Sequence, residues 1–348
     1  MSLNVWLWAT PSDTMHATAK AAAPIDSQGA HIEHRWGRRL VATRKPRAAQ
    51  AQQGTEGDCA SVACSKLFSP TPSIDLGQST YHPFLPDTRF RLRSPAGMLE
   101  LTRMLYGREA TVGEPYRNYK NPYNKRPSLS YQWTQLTEEK LRQAMLRIPR
   151  RPRLVVEVGS FTGRSSTLIG GFLRSQFTPT RSHPVVPPLL CIDTWLGDLG
   201  MAIGSYLAET MDKRHGQPTL YHQWLVNIIN SNLTESVLPL MTTSFLGARI
   251  LDYYRLQVDL IYLDSAHEQR ETFLEILAYW AQLAPGGLLL GDDLNWASVM
   301  HDAQLFARTH HVALESFDGC HERLLLPPAP RRTGTLCVWF VQKPLVKG

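Results

Sequence analysis

LVVEVGSFTGRSS, residues 154–166, is the stretch that decides the fold. Leu154 to Val158 make an apolar run of strand length carrying one acid, Glu157. Gly159 and Gly163 then turn the chain into a segment patterned as a helix. The pattern returns in DLIYLDSAH (259–267) and GGLLLGDDLNW (286–296). A continuous apolar run bounded by Gly, Ser or Asp reads as a strand buried on both faces of a parallel sheet. In such sheets functional groups gather at the carboxyl ends of the strands. Glu157, Asp264, His267, Asp292 and Asp293 all fall at or just past such ends, which argues for an enzyme.

Working outward, strand and helix patterns alternate from residue 154. The spacing predicts strands over 154–159, 189–194, 237–241, 259–264, 287–292, 311–317 and 335–342. It predicts helices over 163–176, 219–231, 245–254, 268–283 and 297–309. The last two strands are joined by a loop, which suits an antiparallel pair. The expected fold is α/β: a doubly wound, Rossmann-like, seven-stranded, mostly parallel sheet with an antiparallel last strand. Residues 151–348 would form this domain. Residues 76–150 read as a helical lead-in or cap, with helical spacing over 94–107 and 130–148 and Thr137 as an N-cap. Between these helices YRNYKNPYNKRPSLSYQW interleaves tyrosines with cations, a pattern of a loop over the cleft or of a nucleic-acid contact.

Residues 1–75 show no sustained periodicity and read as a disordered tail or a targeting leader. Basic clusters lie at Arg35–Arg39 and Arg44–Arg47, and up to Thr55 the only acids are Asp13, Asp26 and Glu33. An organellar transit peptide over 1–55 has this composition, and otherwise a cytoplasmic, in either case intracellular, location is expected. No apolar run is long enough to span a membrane. Formal net charge is +7, but residues 1–153 carry 23 basic against 12 acidic side chains, and the remainder carry 14 against 18. The basic excess therefore sits outside the part that looks catalytic, which weakens a nucleic-acid role without removing it. The five cysteines have no metal-ligand spacing. Cys191 and Cys337 lie in apolar runs and read as small hydrophobes, Cys59 and Cys64 leave a disulfide open, and the low, odd count fits a reducing compartment. Asn232-Leu233-Thr234 matches a glycosylation acceptor with nothing else to support secretion.

The glycine loop lacks G-x-G-x-x-G, so it is a poor pyrophosphate cradle and disfavours a nicotinamide oxidoreductase. An acid followed by Gly-x-x-x-Gly suits an uncharged ribose and a zwitterionic amino acid better. Asp193, ending the second strand about 30 residues on, can accept the ribose hydroxyls of an adenosine or cap its own loop. Asp264, Asp292 and Asp293 would repel one another in one cleft unless a cation or protons intervene, and a hard cation such as Mg²⁺ suits oxygen donors. His267, three residues past Asp264, is placed to act as a base near neutral pH.

Together VVEVGSFTGRSS, CIDTWLGD, LIYLDSAH and APGGLLLGDDLNW resemble the class I S-adenosylmethionine-dependent methyltransferases. The nearest branch is the metal-dependent one of macrolide-sugar and catechol-type O-methyltransferases, methyltransferase family 24-like; the resemblance covers 154–343. It implies that Gly159, Ser160 and Gly163 hold the methionine part of S-adenosylmethionine. Glu157 would steady the loop and meet the cofactor amine, Asp193 would hold the ribose, and Ser244 would add a cofactor contact. It further implies Asp264, Asp292 and Asp293 as ligands of Mg²⁺ and His267 as the base that deprotonates a small-molecule hydroxyl. Relatives often carry Asn at the third ligand position, so Asp293 makes this site more negative. The 196–221 connection, with Asp198, Tyr206, His215 and Tyr221, would shape the acceptor pocket. Two other readings stand beside this one: a metal-free N- or RNA methyltransferase, and an inactive methyltransferase-like binding module. An oligomer is compatible with all of them.

Overall fold

The computed structural model describes residues 92–129, 134–181, 185–202, 211–265, 267–321 and 337–345. The chain divides into two units, 1–75 and 76–348, and every described residue lies in the second. The expectations for the leader, its basic clusters and Cys59 and Cys64 lie outside the described residues, as does Tyr206.

Within the second unit the elements run α1 (Met98–Tyr106), α2 (Glu138–Arg147), β1 (Val155–Val158), α3 (Arg164–Gln176), β2 (Leu189–Asp193) and α4 (Leu199–Ala202). Next come β3 (Lys213–Arg214), β4 (Gln217–Pro218), α5 (Leu220–Asn230), β5 (Val237–Met241), α6 (Ser244–Tyr253) and β6 (Val258–Leu263). The chain ends with α7 (Glu271–Trp280), β7 (Leu283–Gly291), α8 (Ala297–His310), β8 (Glu315–Ser316) and β9 (Trp339–Gln342). Seven strands form one sheet in the order β5-β2-β1-β6-β7-β9-β8. Those from β5 to β7 are parallel neighbours, and β9 runs antiparallel to both β7 and β8, as the sequence pattern predicts.

Alternate residues of a strand face opposite sides of the sheet. Val156, Val158, Ile192, Ile261 and Leu289 accordingly join a core with Leu251 of α6, Ile276 of α7 and Phe306 of α8. Val155, Cys191, Leu260 and Leu290 join the other core, with Leu141 of α2, Ile169 of α3 and Trp224 of α5. The sheet is thus covered on both sides, which is why its strands are apolar throughout. Truncating one of the Leu, Ile, Phe or Trp side chains among them to Ala costs about 2–5 kcal/mol.

Several boundaries depart from the sequence reading. Helix α2 is not one of them: it starts at Glu138, where Thr137 caps it as expected by accepting from the Lys140 amide at 3.2 Å. Ahead of that cap, Thr134 and Gln135 of the 130–148 segment bond to Asp292, 157–158 positions away. Helix α7 starts at Glu271 because Arg270 takes a left-handed conformation (φ 77°). Strand β8 is two residues long and β9 four. The 196–221 connection contains α4 and a β3–β4 hairpin that its polar composition did not announce.

Cys337 is not the isolated small hydrophobe expected of a strand position. It forms a disulfide with Cys320, at a Cα–Cα distance of 5.7 Å. The approach of the segment after β8 to the start of β9 brings the two within bonding reach, and the pairing runs against the expectation of a reducing compartment. Cys191 is free and buried, as expected. Among the described residues no helix is long and apolar enough to cross a membrane.

Register sets the site. Val158 pairs with Ile192 on one side and Leu263 on the other, and Leu263 pairs with Gly291. Four strands therefore end level, and the next residues along β1, β2, β6 and β7 are Gly159, Asp193, Asp264 and Asp292.

Candidate active site

Gly159 leaves β1 with φ 86°, and a Cβ placed there would lie 2.0 Å from the Asp264 carbonyl oxygen. Only glycine fits so close to a neighbouring backbone in this conformation. The loop beyond it is held from the side by Asp193. One carboxylate oxygen accepts from the Ser160 and Phe161 amides at 2.7 and 2.8 Å, and the other accepts from the Trp195 amide at 2.6 Å. Burial pushes the Asp193 carboxyl up from its ordinary range, and these backbone bonds pull it part of the way back. From below, Glu157 accepts from the Ser160 hydroxyl at 2.7 Å and from the Ser166 hydroxyl, which itself accepts from the Trp224 indole at 3.0 Å. Burial raises the Glu157 carboxyl, and its second oxygen is buried without a partner. Glu157 lies wholly beneath the loop, so its contacts describe loop support rather than a direct meeting with a ligand.

A loop kept bare of side chains at Gly159 and Gly163 lets a ligand approach its backbone closely. Ser244 opens α6, three residues past Met241, the register partner of Asp193. The Thr242 amide donates to the Asp193 carbonyl at 2.9 Å, so α6 begins beside the end of β2.

The acidic centre gathers differently from the expected trio. Asp264, His267 and Asp293 offer ligand atoms within 4.8 Å of one another. His267 Nε2 lies 2.9 Å from Asp293 and 3.9 Å from Asp264. Asp292 lies beside this group, with the Tyr262 hydroxyl 3.4 Å from Asp264 between the two carboxylates, and makes bonds of its own. One of its oxygens accepts from the Gln135 amide and the Tyr262 hydroxyl, each at 2.8 Å, and from the Thr134 hydroxyl at 3.2 Å; the other accepts from the Asp293 amide at 2.9 Å. With four donors in place, Asp292 anchors the lead-in to the sheet.

Burial drives Asp264 well above the carboxylate range, with the charges of Asp292, Asp293 and Glu157 adding to the rise. Burial likewise raises Asp292, opposed by the Gln135 amide. For His267 burial opposes the charged form, but the Asp293 hydrogen bond and the charges of Asp293, Asp198 and Glu275 outweigh it and the imidazole is raised. Trp296, 43% exposed, sits with its ring 5.1 Å from that of His267. Asp198 thus lies near enough to His267 to act on its charge, which brings the start of the 196–221 connection toward the centre.

Around the cleft the sequence had singled out Tyr221, which packs on Trp195 at 4.8 Å and on Trp224 at 6.4 Å. His215 turns the β3–β4 hairpin with φ 51°. The tyrosines of the 116–127 segment are engaged in packing. Tyr116 donates to the Val237 carbonyl at 2.8 Å, Tyr119 bonds His222 at 2.8 Å, and Tyr123 meets the His222 ring edge-on. A cavity of about 900 Å³ opens at the opposite end of the sheet, lined by Met98, Arg103, Arg174, Val186 and Ser236. None of the acids or histidines of the centre reaches it, so the chemistry belongs to the carboxyl end.

Residues 156–294 match a family model described as a methyltransferase domain. Those residues therefore form a methyltransferase domain within the chain. Among solved structures it is similar to CalS11, a TDP-rhamnose 3'-O-methyltransferase of calicheamicin biosynthesis, with 15% identity and a TM-score of 0.36 over 59% of this chain and 77% of that one. It is also similar to an O-methyltransferase from Bacillus cereus in complex with SAH, with 12% identity and a TM-score of 0.37 over 59% and 80%. A third is TomG from Streptomyces achromogenes, an O-methyltransferase in complex with SAM, with 12% identity and a TM-score of 0.39 over 59% and 78%. At these values the likenesses carry no argument about chemistry. No curated protein matches the chain.

Proposed function

We propose that the enzyme methylates a hydroxyl of a small molecule, with His267 as the base and a divalent cation held by Asp264 and Asp293. The observation that carries this reading is the meeting of His267, Asp264 and Asp293 within 4.8 Å, beside the glycine loop. The donor set fits a hard cation: two carboxylates converge, and burial with mutual repulsion raises Asp264, a cost that a cation would relieve. Bound Mg²⁺ would supply Lewis-acid polarisation of the acceptor hydroxyl. Asp292 could add its second oxygen to such an ion, since its bonds to the lead-in are all made by the first.

The glycine loop would hold the methionine part of the cofactor through Gly159, Ser160 and Gly163, with Glu157 and Asp193 bracing it. The Asp193 oxygen that accepts one amide keeps capacity for a ribose hydroxyl. His267 takes the acceptor proton, and Asp293 beside it stabilises the imidazolium. The acceptor oxygen then forms its bond to the sulfonium methyl as the methyl–sulfur bond breaks. The protein contributes chiefly orientation and preorganised charge.

Calorimetric titration of S-adenosylmethionine, with Mg²⁺ and then with EDTA, tests the reading before a panel of hydroxyl acceptors. Micromolar affinity with turnover abolished by EDTA is the expected result. Turnover that survives chelation removes the cation and leaves the His267–Asp293 pair as the acid–base unit. No cofactor binding under either condition overturns the proposal.

A further inference from the structure

Glu275 is a buried acid that the reaction proposed above does not use. It sits on α7, 4% exposed, one helix layer beneath the acidic centre. Its carboxylate accepts from the Ser265 hydroxyl at 2.7 Å and is hydrogen-bonded by the Ser244 side chain as well. Those two serines belong to different parts of the site. Ser265 follows Asp264 on the loop that carries His267, and Ser244 is the first residue of α6, which begins beside Asp193. A second bond ties the same two helices: the Tyr279 hydroxyl donates to the Ser244 carbonyl at 2.7 Å. A cavity of about 10 Å³, the size of one water, is bounded by Asp264, Ser265, His267, Thr272, Glu275 and Asp292, so the carboxyl lies on the underside of the centre.

A buried carboxylate is costly unless its hydrogen bonds repay the loss of water. An apolar side chain at position 275 would pack α7 more cheaply if packing were its only task. We propose that Glu275 is a positioning residue that couples the cofactor end of the cleft to the catalytic loop by holding Ser244 and Ser265 on one carboxylate. The inference rests on the methyltransferase reading of the cleft and on Ser244 marking its cofactor side.

Four variants separate the coupling from general stability: Glu275→Ala, Glu275→Gln, Ser244→Ala and Ser265→Ala, each measured for S-adenosylmethionine Kd, kcat, acceptor KM and melting temperature. Loss of a hydrogen bond to a buried charge corresponds to about a tenfold effect. Glu275→Ala is expected to raise cofactor Kd and lower kcat, each about tenfold, with acceptor KM unchanged. Ser244→Ala should reproduce only the first effect and Ser265→Ala only the second. Glu275→Gln, which keeps an acceptor oxygen, should stay within about twofold of the parent on both.

The inference is overturned if Glu275→Ala lowers only the melting temperature. It is equally overturned if Glu275→Gln is as damaged as the alanine variant, or if both serine variants behave as the parent. A parent enzyme that binds no S-adenosylmethionine would sink the functional reading and this inference with it. Failure confined to the variants of an active parent sinks the inference alone.

Discussion

At the scale of single residues, the site depends on positions where no other side chain fits. A methyl group on Gly159 would overlap the Asp264 carbonyl, in a conformation (φ 86°) already unfavourable for an L-residue. Gly159→Ala should therefore lower stability by about 3 kcal/mol or more, read as a drop in denaturation midpoint or as insoluble expression. The fixed partners of the His267 ring are Asp293, Asp264 and the Trp296 ring. His267→Ala should leave S-adenosylmethionine affinity within about twofold while kcat falls by ~10²-fold or more; retained turnover would exclude it as the base. The residues flanking the strand ends were legible in the sequence because a strand buried on both faces announces where it stops. The orientation of Asp292 was not legible. It depends on Thr134 and Gln135, which approach from 157–158 positions away, and on Tyr262, whose place inside β6 reads as plain core.

Among the elements, that carboxylate ties the segment just ahead of α2 to the sheet, beside the Tyr116–Val237 bond and the packing of Leu141. Asp292→Ala should speed amide hydrogen exchange at Gln135 while β1 and β6 stay protected, and unchanged exchange would show the lead-in to be held by packing alone. The parallel strands were readable from their apolar runs, and their helices from apolar spacing. The short pairs were not, since two residues of β8 and two each of β3 and β4 carry no period to detect. The Cys320–Cys337 bond closes a loop of sequence separation 17, and neither cysteine sits in a spacing that announces a partner. Replacing both with Ser should cost about 3 kcal/mol by the loop-closure relation, measured by denaturant unfolding of the oxidised parent against the variant. An equal midpoint would mean the hairpin of β8 and β9 is held entirely by its own packing.

Across the whole molecule, burial concentrates acids in one place. Glu157, Asp193, Asp264, Glu275 and Asp292 are all raised, burial being the largest cause in each. Folded protein therefore holds more protons than unfolded protein above the ordinary carboxylate range of about 4. The stability this contributes is present at low pH and is lost as pH rises through the folded values. The raised imidazole of His267 has the same sign around and above its ordinary value of about 6.5. Metal-free enzyme should consequently melt at higher temperature near pH 5.5 than near pH 7.5, and Mg²⁺ should narrow the difference. A melting temperature flat across that window would show the cluster to be better solvated than its burial implies. The disulfide has one more consequence for anyone handling the protein. A protease that cuts between Cys320 and Cys337 severs the backbone but not the molecule, since the carboxyl-terminal strand stays tied to the rest through sulfur. Such a nick would be silent on a gel until a thiol reductant released the fragment.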